Sequence, residues 1–132
     1  MQAKKRILVI EDDKDISRTL ALRLGMEGFE VVTAFNGQEG LDKAKSMSEH
    51  LVILDLKLPG LPGEEICRQL RREKKYEHLP IIMLTAKDTD VDMVIGKVIG
   101  ADYYIRKPFD MDELLVKVHS LLGDPKDSGA IR

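Results

Sequence analysis

Four places in this chain carry groups able to do chemistry together. Glu11, Asp12 and Asp13 form an acidic triplet, Asp55 ends an apolar run, Thr85 offers a hydroxyl and Lys107 an ammonium. Clustered carboxylates repel, and each raises its neighbours' pKa unless a cation neutralises them. A hard divalent cation does so: Mg²⁺ binds through one or two carboxylates plus waters and phosphate oxygens. A phosphoryl group on a carboxylate would need this same set, with metal, ammonium and hydroxyl each taking one oxygen. Asp55 is the candidate acceptor because it stands alone, and Asp12 and Asp55 are the main candidates to hold the ion.

These groups matter only if the fold gathers them. Branched apolar runs at 7–10, 29–34, 51–54, 80–84 and Tyr103–Arg106 read as strands, the first and third buried on both faces. Helical spacing follows each. Ile16, Leu20 and Leu24 mark a first helix closed by Gly25 or Gly28, and Leu41 and Ala44 a second over 37–47. Ile66 and Leu70 mark a third over Gly63–Arg72. Val91, Val94, Ile95 and Val98 mark a fourth over about 89–99, ended by Gly100. Leu114, Leu115, Val118 and Leu121 mark a fifth over Met111–Leu122. A β-α unit repeated five times predicts an α/β fold: a parallel sheet with helices on both faces. Right-handed crossovers put all strand C-termini on one edge. The four chemical places follow strands one, three, four and five, so they converge there. In the doubly wound order 2-1-3-4-5, Asp55 faces the first-strand acids across the topological switch point.

Composition sets the outer limits. A chain of 132 residues, 43% hydrophobic and 33% charged, is one domain with an ordinary soluble balance. A formal net charge of -2 disfavours direct nucleic-acid or membrane binding. The single cysteine, Cys67, excludes an internal disulfide and a thiolate metal cluster, and reads as a partly buried hydrophobe. No apolar run is long enough to span a membrane. Residues 1–6 enter the first strand without an apolar leader, so a cytoplasmic protein is expected.

Ile7-Leu-Val-Ile-Glu-Asp-Asp13, Leu54-Asp-Leu-Lys-Leu-Pro-Gly60, Leu84-Thr-Ala86 and Lys107-Pro-Phe109 occur in order, each at a strand end. Together they resemble the receiver domain of two-component response regulators. The resemblance runs from about Lys5 to Leu122. Residues 1–122 are thus the expected receiver, and 123–132 a flexible tail or the start of a linker. It implies a flavodoxin-like fold and a role for each matching residue. Asp55 is the phosphoacceptor and Asp12 the direct Mg²⁺ ligand. Glu11 acts through water, and the backbone carbonyl of Lys57 is the third protein ligand. Lys107 binds phosphate and joins Pro108 by a cis peptide. Thr85 is the switch hydroxyl, and Tyr104 the aromatic that changes rotamer as Thr85 moves. Pro59 and Gly60 shape the loop after the acceptor. The implied donor is a sensor histidine kinase, a phosphotransfer protein or a small phosphodonor. The implied readout is the surface of the fourth helix, fifth strand and fifth helix, facing an output domain or a downstream protein. Such a chain is a regulatory phosphoacceptor, an enzyme at most toward its own phosphorylation and dephosphorylation.

Some positions depart from the commonest pattern. Met93 stands where large subgroups place an arginine used in dimerisation, and Tyr103 replaces an acid, although Asp102, Glu113 and Lys117 match charged positions. Met93, Tyr103, Tyr104 and Val116 are candidates for an apolar docking patch. Lys57 and Lys87, each two residues beyond a site residue, predict slow self-dephosphorylation. Bland readings compete elsewhere. Asp13 is as well suited to capping the first helix as to a site. Arg68, Arg71, Arg72, Lys74 and Lys75 suit a helix C-terminus. His50, His78 and His119 lack metal spacing, and Gly40 and Gly96 have no functional account. An aspartyl-phosphate phosphatase would need an acid where Lys57 stands. A flavin-binding protein would need a phosphate loop where Glu11-Asp12-Asp13 stands. A docking module that no longer uses phosphate is the third rival.

Overall fold

The computed structural model describes residues 4–85 and 100–123. The predicted fourth helix, with Met93 and Gly96, lies outside them, as do Lys87 and the tail beyond Gly123. Five strands form one parallel sheet in the order β2-β1-β3-β4-β5: β1 (Arg6–Ile10), β2 (Glu30–Ala34), β3 (Leu51–Asp55), β4 (Ile81–Thr85) and β5 (Tyr103–Arg106). Period-two alternation splits the core. Leu8, Ile10, Val52 and Leu54 point to one face, beneath α2 (Gly37–Ser46) and α3 (Gly63–Arg72). Ile7, Val9, Leu51 and Ile53 point to the other, beneath α1 (Lys14–Met26) and the C-terminal helix (Met111–Leu122). Both faces are covered, which is why β1, β3 and β4 read as unbroken apolar runs.

The elements match the sequence expectations to within a residue or two, with local reasons for each shift. Asp55 and Thr85 prolong their strands by one residue because the ladder still pairs Asp55 with Leu84 and Thr85 with Arg106. Gly28, at φ 101°, takes the left-handed turn after α1, and Gly25 lies within the helix. Gly40 now has a packing reason: an added Cβ would lie 2.6 Å from the Ile10 side chain, so α2 sits on β1 only as glycine. Cys67 is fully buried.

Candidate functional site

The carboxyl edge of the sheet gathers the residues that the sequence singled out. Ile10 ends β1, and the next two residues hold Glu11, fully buried, and Asp12, exposed. Asp55 ends β3 and is nearly buried, Thr85 ends β4 and is buried, and Lys107 follows β5. The Lys107 Nζ lies 2.7 Å from Glu11 Oε1 and donates to Asp55 Oδ2 at 3.1 Å. Glu11 Oε2 accepts the Asp13 backbone N–H at 3.0 Å, and Asp55 Oδ1 accepts that of Lys57 at 3.3 Å. Carboxylate oxygens of Glu11, Asp12 and Asp55 all lie within 4.8 Å of one another.

Burial pushes the Glu11 carboxyl up to about 7, and the Asp55 charge adds to it, while Lys107 and the Asp13 N–H pull the other way. Burial also works against the Lys107 ammonium, but Glu11 and Asp55 outweigh it and hold its pKa above the ordinary lysine range. Two of the three carboxylates thus share one ammonium, and the donor set is oxygen only with one open member, Asp12. Such a set fits Mg²⁺, which keeps several waters and favours few protein carboxylates. The Thr85 Oγ1 is buried with no hydrogen-bond partner among the described residues. A buried hydroxyl left so is costly unless something else takes its proton.

Around this centre the other expectations divide. The peptide between Lys107 and Pro108 is cis. Tyr104 is half-buried against the α2–α3 side of the core, its hydroxyl donating to the Ala101 carbonyl at 3.3 Å. Asp13 caps α1, accepting the N–H groups of Asp15 at 2.9 Å and Ile16 at 3.1 Å, so its site role gives way to the bland one. Asp102 is engaged within the chain, accepting the Ile81 N–H at 2.8 Å and pairing with Arg71 at 3.3 Å. Tyr103 places its hydroxyl 2.9 Å from Ser120 Oγ and its ring 5.1 Å from the Lys117 Nζ. The sequence reading missed Arg71, whose guanidinium knits α3 to the start of β5, and the glycines that hold the loop after Asp55.

Residues 7–119 match the response regulator receiver domain family. The chain belongs to that family. This receiver domain is 46% identical over 117 residues to response regulator ArlR of Staphylococcus aureus, covering 89% of the chain and 52% of that protein. It therefore spans about half the length of the curated relatives it matches. Among solved structures it resembles a putative response regulator of Chloroflexus aurantiacus, with a TM-score of 0.87 at 32% identity, covering 91% and 98% of the two chains. It also resembles Thermotoga maritima TrrA, solved in complex with Mg²⁺ and BeF, with a TM-score of 0.79 at 41% identity, covering 89% and 98%. Chemotaxis receivers such as CheY4 of Vibrio cholerae share the flavodoxin-like fold. Receiver domains are regulatory modules rather than conventional enzymes, and they work with histidine kinases and output domains. No helix of the described residues is long and apolar enough to cross a membrane.

Proposed function

We propose that this receiver domain accepts a phosphoryl group on Asp55 in a Mg²⁺-dependent reaction and passes the change to a partner. The supporting observation is the Lys107 ammonium set between Glu11 and Asp55, beside a buried Thr85 hydroxyl with no hydrogen-bond partner among the described residues. Asp12 and Asp55, with the Lys57 carbonyl, would hold the ion, and Glu11 would reach it through water. Bound there, Mg²⁺ would offset charge on the phosphoryl oxygens.

The chain's own groups supply the rest. A carboxylate oxygen of Asp55 attacks phosphorus in line; a new O–P bond forms as the bond to the donor's nitrogen or oxygen breaks, and its electron pair leaves with the donor. Lys107, already paired with Asp55, neutralises charge as it builds. Thr85 then donates to a phosphoryl oxygen, and its movement frees space into which Tyr104 turns. The surface of the predicted fourth helix, β5 and the C-terminal helix thereby shifts between two states. A coupling of about 1–3 kcal/mol suffices for such a switch. The donor is a sensor histidine kinase or phosphotransfer protein, and the receiver of the signal an output domain or a separate protein, all in the cytoplasm. Residues 1–122 form the receiver unit, and 123–132 begin a tail or linker.

Incubation with acetyl phosphate and Mg²⁺, followed by intact mass, tests the reading. The expected result is one phosphoryl adduct that requires both Mg²⁺ and Asp55 and is absent in Asp55→Asn. An adduct that survives Asp55→Asn would overturn it.

A further inference from the structure

The loop between β3 and α3 carries Lys57, and two glycines grip it. On one side, the Gly37 N–H donates to the Pro59 carbonyl at 3.3 Å. A Cβ at Gly37 would sit 1.8 Å from the Leu61 carbonyl oxygen and 2.7 Å from its carbonyl carbon. These are backbone atoms, so no rotamer change relieves the contact; the loop itself would have to move. On the other side, the Gly63 N–H donates to the Leu56 carbonyl at 2.9 Å, and a Cβ there would lie 2.2 Å from the Asp55 carbonyl oxygen.

The support behind Gly37 is stiff. Asn36 Oδ1 accepts the Glu39 N–H at 2.8 Å, and Glu39 Oε1 accepts the Phe35 N–H at 2.8 Å, a reciprocal cap. Glu39 also pairs with Lys43 at 3.1 Å, and the Lys43 Nζ donates to the Thr33 carbonyl at 2.7 Å. The start of α2 is therefore tied to β2 and cannot easily yield to the loop.

We propose that Gly37, through the N-terminus of α2, is a positioning residue for the Mg²⁺ site. It sets the path of residues 56–62, and so the approach of the Lys57 carbonyl to an ion held by Asp12 and Asp55. The proposal rests on the phosphoacceptor reading. Gly37 touches neither ion nor phosphoryl group; it acts through the loop backbone, as supporting groups around a metal commonly do.

Calorimetric Mg²⁺ titration of the wild type, Gly37→Ala, Gly40→Ala and Pro59→Gly tests it, alongside acetyl phosphate rates across Mg²⁺ concentrations. Gly37→Ala is expected to raise the Mg²⁺ Kd about tenfold. Its maximal rate at saturating Mg²⁺ should stay within roughly twofold of wild type, so the loss appears in affinity and not in chemistry. Gly40→Ala inserts a Cβ in the same helix against the Ile10 side chain instead of the loop; it should lower Tm and leave Kd unchanged. Should Gly37→Ala not fold, Pro59→Gly loosens the held carbonyl without crowding and should weaken Mg²⁺ binding in the same direction. A wild-type Kd in the folded Gly37→Ala protein or, failing that, in Pro59→Gly, or equal weakening in Gly40→Ala, overturns the proposal and leaves the phosphoacceptor reading standing. No Mg²⁺ binding by the wild type overturns that reading, and this inference with it.

Discussion

Lys107 lies closer to Glu11 than to Asp55, 2.7 Å against 3.1 Å, although Asp55 is the proposed acceptor. The ammonium therefore serves two carboxylates, and Glu11, fully buried, depends on it more. In Lys107→Met the Glu11 carboxylate keeps, among the described residues, only the Asp13 N–H as a stabilising contact. Removing one partner of a buried pair costs about 3–5 kcal/mol, and partial solvent access here reduces that to about 2 kcal/mol. The variant should melt lower than the wild type at pH 8 in chelator. Added Mg²⁺ should raise its Tm more than it raises that of the wild type, because the divalent ion replaces the missing charge. Thermal denaturation with and without Mg²⁺ checks both; identical melting in chelator would mean that the pair contributes nothing net.

Arg71 is a knot at the opposite end of the sheet. Its Nη1 donates to the carbonyls of Tyr76 and Leu79, each at 2.8 Å, and its Nε and Nη2 to Gly100 at 3.1 and 2.9 Å. Arg71→Ala would take a hydrogen bond from each of three carbonyls, of which that of Tyr76 keeps a backbone partner, the Leu79 N–H at 3.2 Å, and from one side of Asp102; it should cost about 2–4 kcal/mol. Arg71→Lys keeps the charge but loses the planar fork, and should recover less than half of that loss. Urea denaturation with an unchanged m-value reads the difference.

The contrast between Asp55 and Arg71 shows what was legible in the sequence. Asp55, Thr85 and Lys107 stood at the ends of apolar runs, and a parallel sheet admits only one place where such ends meet. Arg71 sat in a basic stretch at a helix end, where cations are common for another reason, and its partners are mostly backbone carbonyls, which have no sequence signature. Gly37 and Gly63 were invisible on the same ground: a close approach of backbones leaves only an absence, the missing Cβ. Asp102 was legible as a charge but not as a link to the Ile81 N–H, since that contact spans two strands.

Lys57 is exposed two residues beyond the proposed acceptor, where a long cationic side chain would border the approach of a hydrolytic water. A single charge at such a place is worth on the order of 1 kcal/mol, several-fold in rate. Lys57→Asn should shorten the phosphorylated lifetime by that factor, followed by intact mass after removal of the phosphodonor. An unchanged decay rate would assign slow hydrolysis, if seen, to other groups.

Glu49 precedes β3 with both carboxylate oxygens out of solvent contact and no hydrogen bond from another of the described residues. Burial pushes its carboxyl up from 4.5 to about 7, against a weaker pull from Lys75 and Arg6. The folded chain thus keeps a proton that the unfolded chain releases. Between pH 4.5 and about 7 the unfolded state binds fewer protons at this group, so its contribution to stability falls as pH rises and levels off above. Glu49→Gln removes that dependence. The variant should match the wild type near pH 5 and exceed it at pH 8 by on the order of 1 kcal/mol, the full shift being discounted for partial exposure. Glu11 titrates in the same range in both proteins, so the difference between their stability–pH curves isolates Glu49. A difference that stays flat from pH 5 to 8 would show that Glu49 ionises as freely in the folded chain as in the unfolded one.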